Sequence, residues 1–128
     1  MGFWIFMFLM CLLIPGIMIA IGSVFKDSSP ANINHIYGYR TNMSMKNQDT
    51  WEFANLYFGK LALKVGLFTL IPSAIAMLPF LWHSEDAIGI AGSIIMTVQI
   101  IPLLAIIPVV ENALKKEFDK DGNRRKKP

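Results

Sequence analysis

"GFWIFMFLMCLLIPGIMIAIGSVF", residues 2–25, contains no charged side chain. About 20 apolar residues suffice to carry a helix across the ~30 Å hydrocarbon core of a bilayer, so this run predicts a membrane span. Two further uncharged runs follow, at 65–82 and 87–110. The last is long enough by itself. The middle one becomes so with residues 61–64 added, Lys64 reaching back to the headgroups along its apolar stem. Composition agrees: 54% of the 128 residues are hydrophobic and 16% charged, against about 25% charged in soluble domains. None of the runs shows the polar stripe of a helix packed on a soluble core. The expectation is an all-α polytopic membrane protein with three transmembrane helices at about 2–25, 61–82 and 87–110, and a cytoplasmic interfacial segment, 26–60, between the first two. Residues 1–114 form one three-span unit, and 115–128 a basic tail. Nothing basic precedes the first run and its apolar part outlasts a signal-peptide core, so it reads as a retained anchor with an exported N-terminus.

Charge placement orients the spans. Lys26, Arg40, Lys46, Lys60 and Lys64 precede the second span; Lys115, Lys116, Lys120, Arg124, Arg125, Lys126 and Lys127 follow the third. Together these are all 12 basic residues of the chain. The positive-inside rule then places the N-terminus and "HSED" (83–86) outside and the 26–60 segment and the tail in the cytoplasm. The net charge of +3 is accounted for by topology, without direct nucleic-acid binding. Cys11, the single cysteine, falls mid-span and packs as a small apolar residue.

Along the chain, Pro15 bends the first helix, and Gly16 with Ala20 forms a small-residue pair where another helix can approach. "KDSSPAN" (26–32) ends it. A second helix starts after Asn47, a good N-cap, with Asp49 in its first turn. Running from Gln48 to Trp82 it would be about 52 Å long, so its first turns stand outside the hydrocarbon, with Pro72 and Pro79 kinking the far half. Gly89, Ser93 and Thr97 form a close-packing stripe on the third helix, Pro102 and Pro108 bend it, and Gln99 is its one strongly polar mid-span group. "DGNRRKKP" (121–128) reads as frayed.

The polar information is concentrated in "YGYRTNMSMKNQDTWEFANLYFGK" (37–60). Asn47, Trp51, Asn55 and Gly59 are four residues apart and share a helix face, which Ala62 and Gly66 continue. The upper half offers amides and an indole, the lower half almost no bulk. Such a face is suited to holding another segment, and "YGYRT" is the nearest candidate, because Gly38 permits a sharp turn and Arg40 carries five donors. By spacing alone, Tyr37, Tyr39, Trp51 and Tyr57 fit an interfacial aromatic belt equally well.

"GYRT" (38–41), "SMKN" (44–47), Trp51, "AN" (54–55), Gly59 and Lys60 resemble the signature of the SdpI family, bacterial membrane proteins named for one that gives immunity to a sporulation-delaying peptide toxin. The matching block covers roughly 32–65. The family's naming protein has a further membrane portion ahead of this unit that this sequence does not show, so the resemblance implies a short form with a shared core. It implies two activities: protection from a toxic amphipathic peptide, and retention of a cytoplasmic repressor at the membrane. Gly38, Arg40, Thr41, Asn47, Trp51 and Asn55 carry the motif over as binding residues. Arg40, held by the helix face, would offer its donors to a lipid phosphate or a partner's carboxylate.

Catalysis finds no constellation. His35 and His83 are expected on opposite sides of the membrane, as are the acidic pairs Glu85/Asp86 and Asp49/Glu52, and no phosphate loop or metal spacing is present. No cofactor is expected. A small transporter or exporter subunit is the rival reading, though no ionisable residue sits at mid-depth to mark an ion path. A structural or lipid-binding protein is the other, with the basic tail on an anionic leaflet. Membrane lipids and a second copy through the Gly/Ala faces complete the expected partners.

Overall fold

The computed structural model describes residues 1–34 and 36–125. His35, Lys126 and Lys127 lie outside the described residues. Three helices account for most of the chain: α1 (Gly2–Phe25), α2 (Gln48–Met77) and α3 (Glu85–Glu117). All three are long and apolar enough to cross a membrane. Their outward faces are correspondingly apolar, with Phe68 79% exposed and Ile101 69%, as expected of helices that face lipid.

Helix ends follow local chemistry. Asn47, in extended backbone, accepts from Thr50 N at 2.9 Å, while Thr50 Oγ1 accepts from Asn47 N at 3.1 Å. This is a reciprocal capping box with Thr in the place usually held by Glu or Gln. Ser84 caps α3 by accepting from Ala87 N, with Glu85 and Asp86 in the first turn and Lys115 and Lys116 in the last, each sign complementing the dipole. α2 is shorter than the sequence suggests: it stops at Met77 and tightens into a 3-10 turn at Leu78–Phe80. Pro79 is the cause. It lacks the N–H that would bond the Ile75 carbonyl, and its ring crowds that carbonyl, so the chain tightens its pitch and Leu78 N–H serves the Ile75 carbonyl instead.

α1 and α2 meet backbone to backbone through glycines. A Cβ on Gly59 would lie 2.6 Å from Lys26 N, one on Gly22 2.7 Å from the Gly59 carbonyl oxygen, and one on Gly66 3.0 Å from the Pro15 carbonyl oxygen. Thus the expected Gly59–Ala62–Gly66 stripe is a packing face, and α1 fills it. Its partner on α1 is Gly22 rather than the Gly16/Ala20 pair. Those two face outward, and Gly16 has nothing within 4 Å of its Cβ direction. On α3 the close approach is at Gly92, against Met7, while Ser93 and Thr97 of the expected stripe are exposed.

One apolar cluster joins Met18, Tyr39, Ala54, Ile106, Val110, Leu114 and Phe118 at the loop end of the bundle. Another joins Met7, Cys11, Met77, Ile88 and Ala91 at the opposite end, where Trp4 Nε1 donates to the Met77 carbonyl at 2.9 Å. Between them Gln99 Nε2 donates to the Cys11 carbonyl at 2.7 Å and to Ser73 Oγ at 2.8 Å. The first bond has a local reason: Pro15, four residues on, cannot serve the Cys11 carbonyl, and in a bilayer an unserved carbonyl costs several kcal/mol.

Nor does the tail fray as far as it is described. Phe118 and Arg124 form an antiparallel bridge, Asp119 N donates to the Asn123 carbonyl at 2.8 Å, and Gly122 supplies the positive φ of 87° that an Asp-Gly turn requires. Phe118 is fully buried against Phe53, edge to face at 5.6 Å, with Arg124 over its ring.

The glycine contacts give the first expected outcome. Gly59→Ala pushes a methyl group into the Phe25–Lys26 backbone and should destabilise by about 1–3 kcal/mol, as overpacking does. Gly16→Ala should be neutral or slightly stabilising. Thermal unfolding of the two variants in the same detergent distinguishes them; equal midpoints would mean that α1 and α2 do not meet at Gly59.

Candidate functional site

Of the six residues expected to form the site, Gly38, Trp51 and Asn55 come together as one unit. Trp51 and Asn55 are fully buried on the first turns of α2. Trp51 Nε1 donates to the Pro30 carbonyl at 2.8 Å. Asn55 Oδ1 accepts from Tyr39 N at 2.6 Å, while its Nδ2 donates to the Trp51 carbonyl at 3.0 Å and more loosely to the Tyr39 carbonyl at 3.4 Å. The "YGYRT" segment therefore lies on α2, with a side-chain amide standing in for a strand partner. Gly38 sits at the closest point. Its φ is +101°, and a Cβ there would be 2.8 Å from Asn55 Oδ1 and 3.2 Å from Trp51 Cη2. Glycine is required on both counts.

Thr41 belongs to a second, smaller knot. Its N–H donates to Ser44 Oγ at 2.8 Å, and Thr41 Oγ1 accepts from Ser44 N at 3.2 Å. Thr50 Oγ1 lies 3.1 Å from the Ser44 carbonyl, carrying this turn to the start of α2. Ser44 and Thr50 are both fully buried. Asn47 stands apart from the Gly38 unit: besides capping α2 it donates from Nδ2 to the Gly122 carbonyl at 2.7 Å, so it holds the tail.

Arg40 is exposed and borders a cavity of about 310 Å³ whose apolar wall includes Phe58 of α2 and Leu103, Leu104 and Ile107 of α3. Its neighbours Tyr39 and Thr41 are both bonded into the protein.

Tyr39 and Glu111 were not singled out as a pair by the sequence. The Tyr39 ring is buried and packs on Phe58, and its hydroxyl donates to Glu111 Oε1 at 2.8 Å. Burial pushes the Tyr39 hydroxyl pKa well above its ordinary value of 10, and the Glu111 hydrogen bond and charge push it further. Glu111 thus ties the loop to α3. A lone Tyr and a lone Glu 72 positions apart give no periodic signal.

A family-wide sequence profile, described as the SdpI/YfhL protein family, matches residues 31–110. The chain belongs to this family. A curated relative, the uncharacterized protein YfhL of Bacillus subtilis (strain 168), is 44% identical over 52 residues, which is 41% of this chain and 47% of that protein. The match thus spans about half the length of the relative. No solved structure matches the chain. Membership and the three apolar helices together make this a multi-pass protein of the bacterial membrane. Among the described residues no group of three or more His, Cys, Asp or Glu side chains could hold a metal ion.

Tyr39→Phe removes the hydroxyl that serves Glu111 and should cost about 1.5 kcal/mol, the scale of a hydrogen bond to a charged group. The pH dependence has a definite sign. Because the folded-state pKa is raised above 10, the Tyr39 contribution is complete below pH 10 and is lost as pH rises through the folded value, where the unfolded chain has already released its proton. Denaturation curves between pH 8 and 11 should show the onset of this loss above pH 10 in the wild type and not in Tyr39→Phe.

Proposed function

We propose that this chain is a binding protein of the inner membrane face that serves toxin-peptide immunity, membrane signalling, or both, without chemistry of its own. In this reading the N-terminus is outside and the C-terminus inside, following the distribution of basic residues. Residues 37–55 then form a cytoplasmic shelf at the lipid boundary. The observation that carries the reading is the construction of "GYRT": Tyr39 and Thr41 are bonded into the protein, and Arg40, fixed in sequence between them, is exposed and borders an apolar cavity. A loop bonded at Tyr39 to Asn55, at Thr41 to Ser44 and at the Asn47 cap of α2 is more than a topology signal or an aromatic belt requires.

The ligand chemistry follows from the neighbours. Arg40 offers a planar fork for an acidic oxygen pair, a lipid phosphate or a partner's carboxylate. A second cavity, of about 250 Å³, shares Phe58 and Leu103 with the first and extends to Ile14, Met18 and Ile21 of α1. An acidic group beside an apolar chain, as in an amphipathic peptide or an anionic lipid, fits that sequence of surfaces. Family membership supports the immunity and repressor-holding roles; the tie from Tyr39 to Glu111 offers a route by which occupancy at Arg40 would be felt on α3 and the tail.

Cells expressing the chain should survive challenge by toxic amphipathic peptides better than cells expressing Arg40→Ala. Arg40→Lys should lose most of the protection, because it keeps the charge and loses the fork. A cysteine placed at exposed Asn42 should resist a membrane-impermeant thiol reagent in intact cells and react in inverted vesicles. Full protection by Arg40→Lys removes the bidentate contact from the account, and labelling of Asn42→Cys in intact cells removes the cytoplasmic shelf.

A further inference from the structure

One groove is walled by all three helices. Its inner part, a cavity of about 250 Å³, is lined by Ile14, Ile17, Met18 and Ile21 of α1, by Phe58 and Ala62 of α2, and by Leu103 of α3. The cavity that Arg40 borders shares Phe58 and Leu103 with it, so the two adjoin. Met18, Ala62 and Ile106 are buried, while Ile17, Leu104 and Ile107 are exposed. The groove thus has a protein floor and a rim open to lipid.

Its length follows from the helices. Gly59 abuts Phe25 and Lys26, which sets the neighbouring Phe58 at the loop end of α1. Ile14 lies eleven residues before Phe25, the last of that helix, or about 16 Å away along its axis. One leaflet is half of the ~30 Å hydrocarbon core. From the loop boundary the groove therefore reaches mid-bilayer, as one acyl chain does.

The chemistry of the wall selects the occupant. No side chain lining the inner cavity carries a hydrogen-bond donor or acceptor. An extended peptide laid there would bring backbone N–H and C=O groups with nothing to serve them, which the bilayer interior penalises heavily. A helix serves its own backbone but is ~10 Å across, and a cavity of about 250 Å³ cannot take one in over this length. A methylene chain needs neither partners nor breadth.

At the outer end stands Arg40. Its guanidinium carries five donors in a planar fork, matched to the two unesterified oxygens of a phosphodiester. No acidic residue lines either cavity, and Glu111 of α3 already accepts from the Tyr39 hydroxyl. The ammonium of a zwitterionic headgroup would find no carboxylate on this wall.

We propose that the groove holds one anionic phospholipid, its phosphate at Arg40 and one acyl chain running past Phe58 and Leu103 to Ile14. This assignment rests on the reading of Arg40 as the binding residue, and makes its ligand a membrane lipid instead of a partner's carboxylate.

The test is native mass spectrometry of the full chain from detergent micelles, titrated with palmitoyl-oleoyl phosphatidylglycerol and with its phosphatidylcholine counterpart. The wild type should retain a single phosphatidylglycerol at least about tenfold more tightly than phosphatidylcholine. Arg40→Ala should lose a comparable factor, the scale of one hydrogen bond to a charged group. Ile17→Trp, at an exposed position of the rim, sets an indole in the path of the chain and should weaken retention similarly with Arg40 intact. Ile101→Trp, exposed on α3 and outside both cavities, should retain lipid as the wild type does. Equal retention by the wild type and Arg40→Ala, or by the wild type and Ile17→Trp, would overturn the proposal. The survival assay keeps the two readings apart. If Arg40→Ala keeps the lipid in full and still loses protection, the lipid assignment falls and the binding role stands. If it loses the lipid and still protects, the lipid site stands and the immunity role falls.

Discussion

The hydrogen bond from Tyr39 N to Asn55 Oδ1, 2.6 Å long and fully buried, is the constraint on which the loop end of the molecule depends. A segment that leaves water without joining a helix must still find partners for its backbone groups. Here they are side chains of one helix face. Asn55 serves Tyr39, Trp51 serves the Pro30 carbonyl, and Thr50 reaches the Ser44 carbonyl. Gly38 is the corollary, since only a residue without Cβ can pass so close to the amide that does this work. Remove Asn55 and the reason for Gly38, for the buried Tyr39 and for the placement of Arg40 goes with it.

Within the lipid the same accounting of polar groups organises the helices. α1 can approach α2 to backbone distance because Gly22, Gly59 and Gly66 leave room, and Pro15 is tolerable inside α1 because Gln99 takes over the carbonyl that Pro15 leaves unserved. Membrane helices lack a hydrophobic drive to associate, so close packing and such cross-helix bonds carry more of the load. One amide thus links all three helices, through Cys11, Ser73 and its own backbone.

Much of this architecture was legible in the sequence, for identifiable reasons. Three spans follow from uncharged runs, because bilayer thickness imposes a length that local composition reveals. The Asn47 cap and the stripe from Trp51 through Gly66 are also local signals, at helical spacing, and the structure shows that the upper half of the stripe takes the loop and the lower half α1. What was not legible is pairing across long separations. Tyr39 with Glu111, Gln99 with Cys11, and Asn47 with Gly122 are each joined by single side chains that leave no periodic trace. Gly16 and Ala20 illustrate the converse: a small-residue spacing that looks like a contact and faces outward. The Asp-Gly turn at 121–122 was visible in principle, but a strongly basic end suggested fraying, and only the buried Phe118 against Phe53 gives the turn something to rest on.

The central claim, that a buried amide of α2 orders the loop, is tested most directly by hydrogen exchange at the Tyr39 amide in detergent-solubilised protein. The account predicts strong protection at Tyr39 in the wild type, comparable with the helix interiors, and loss of that protection in Asn55→Ala while α1 and α3 amides remain slow. An unprotected Tyr39 amide in the wild type, or one equally protected without Asn55, would contradict it.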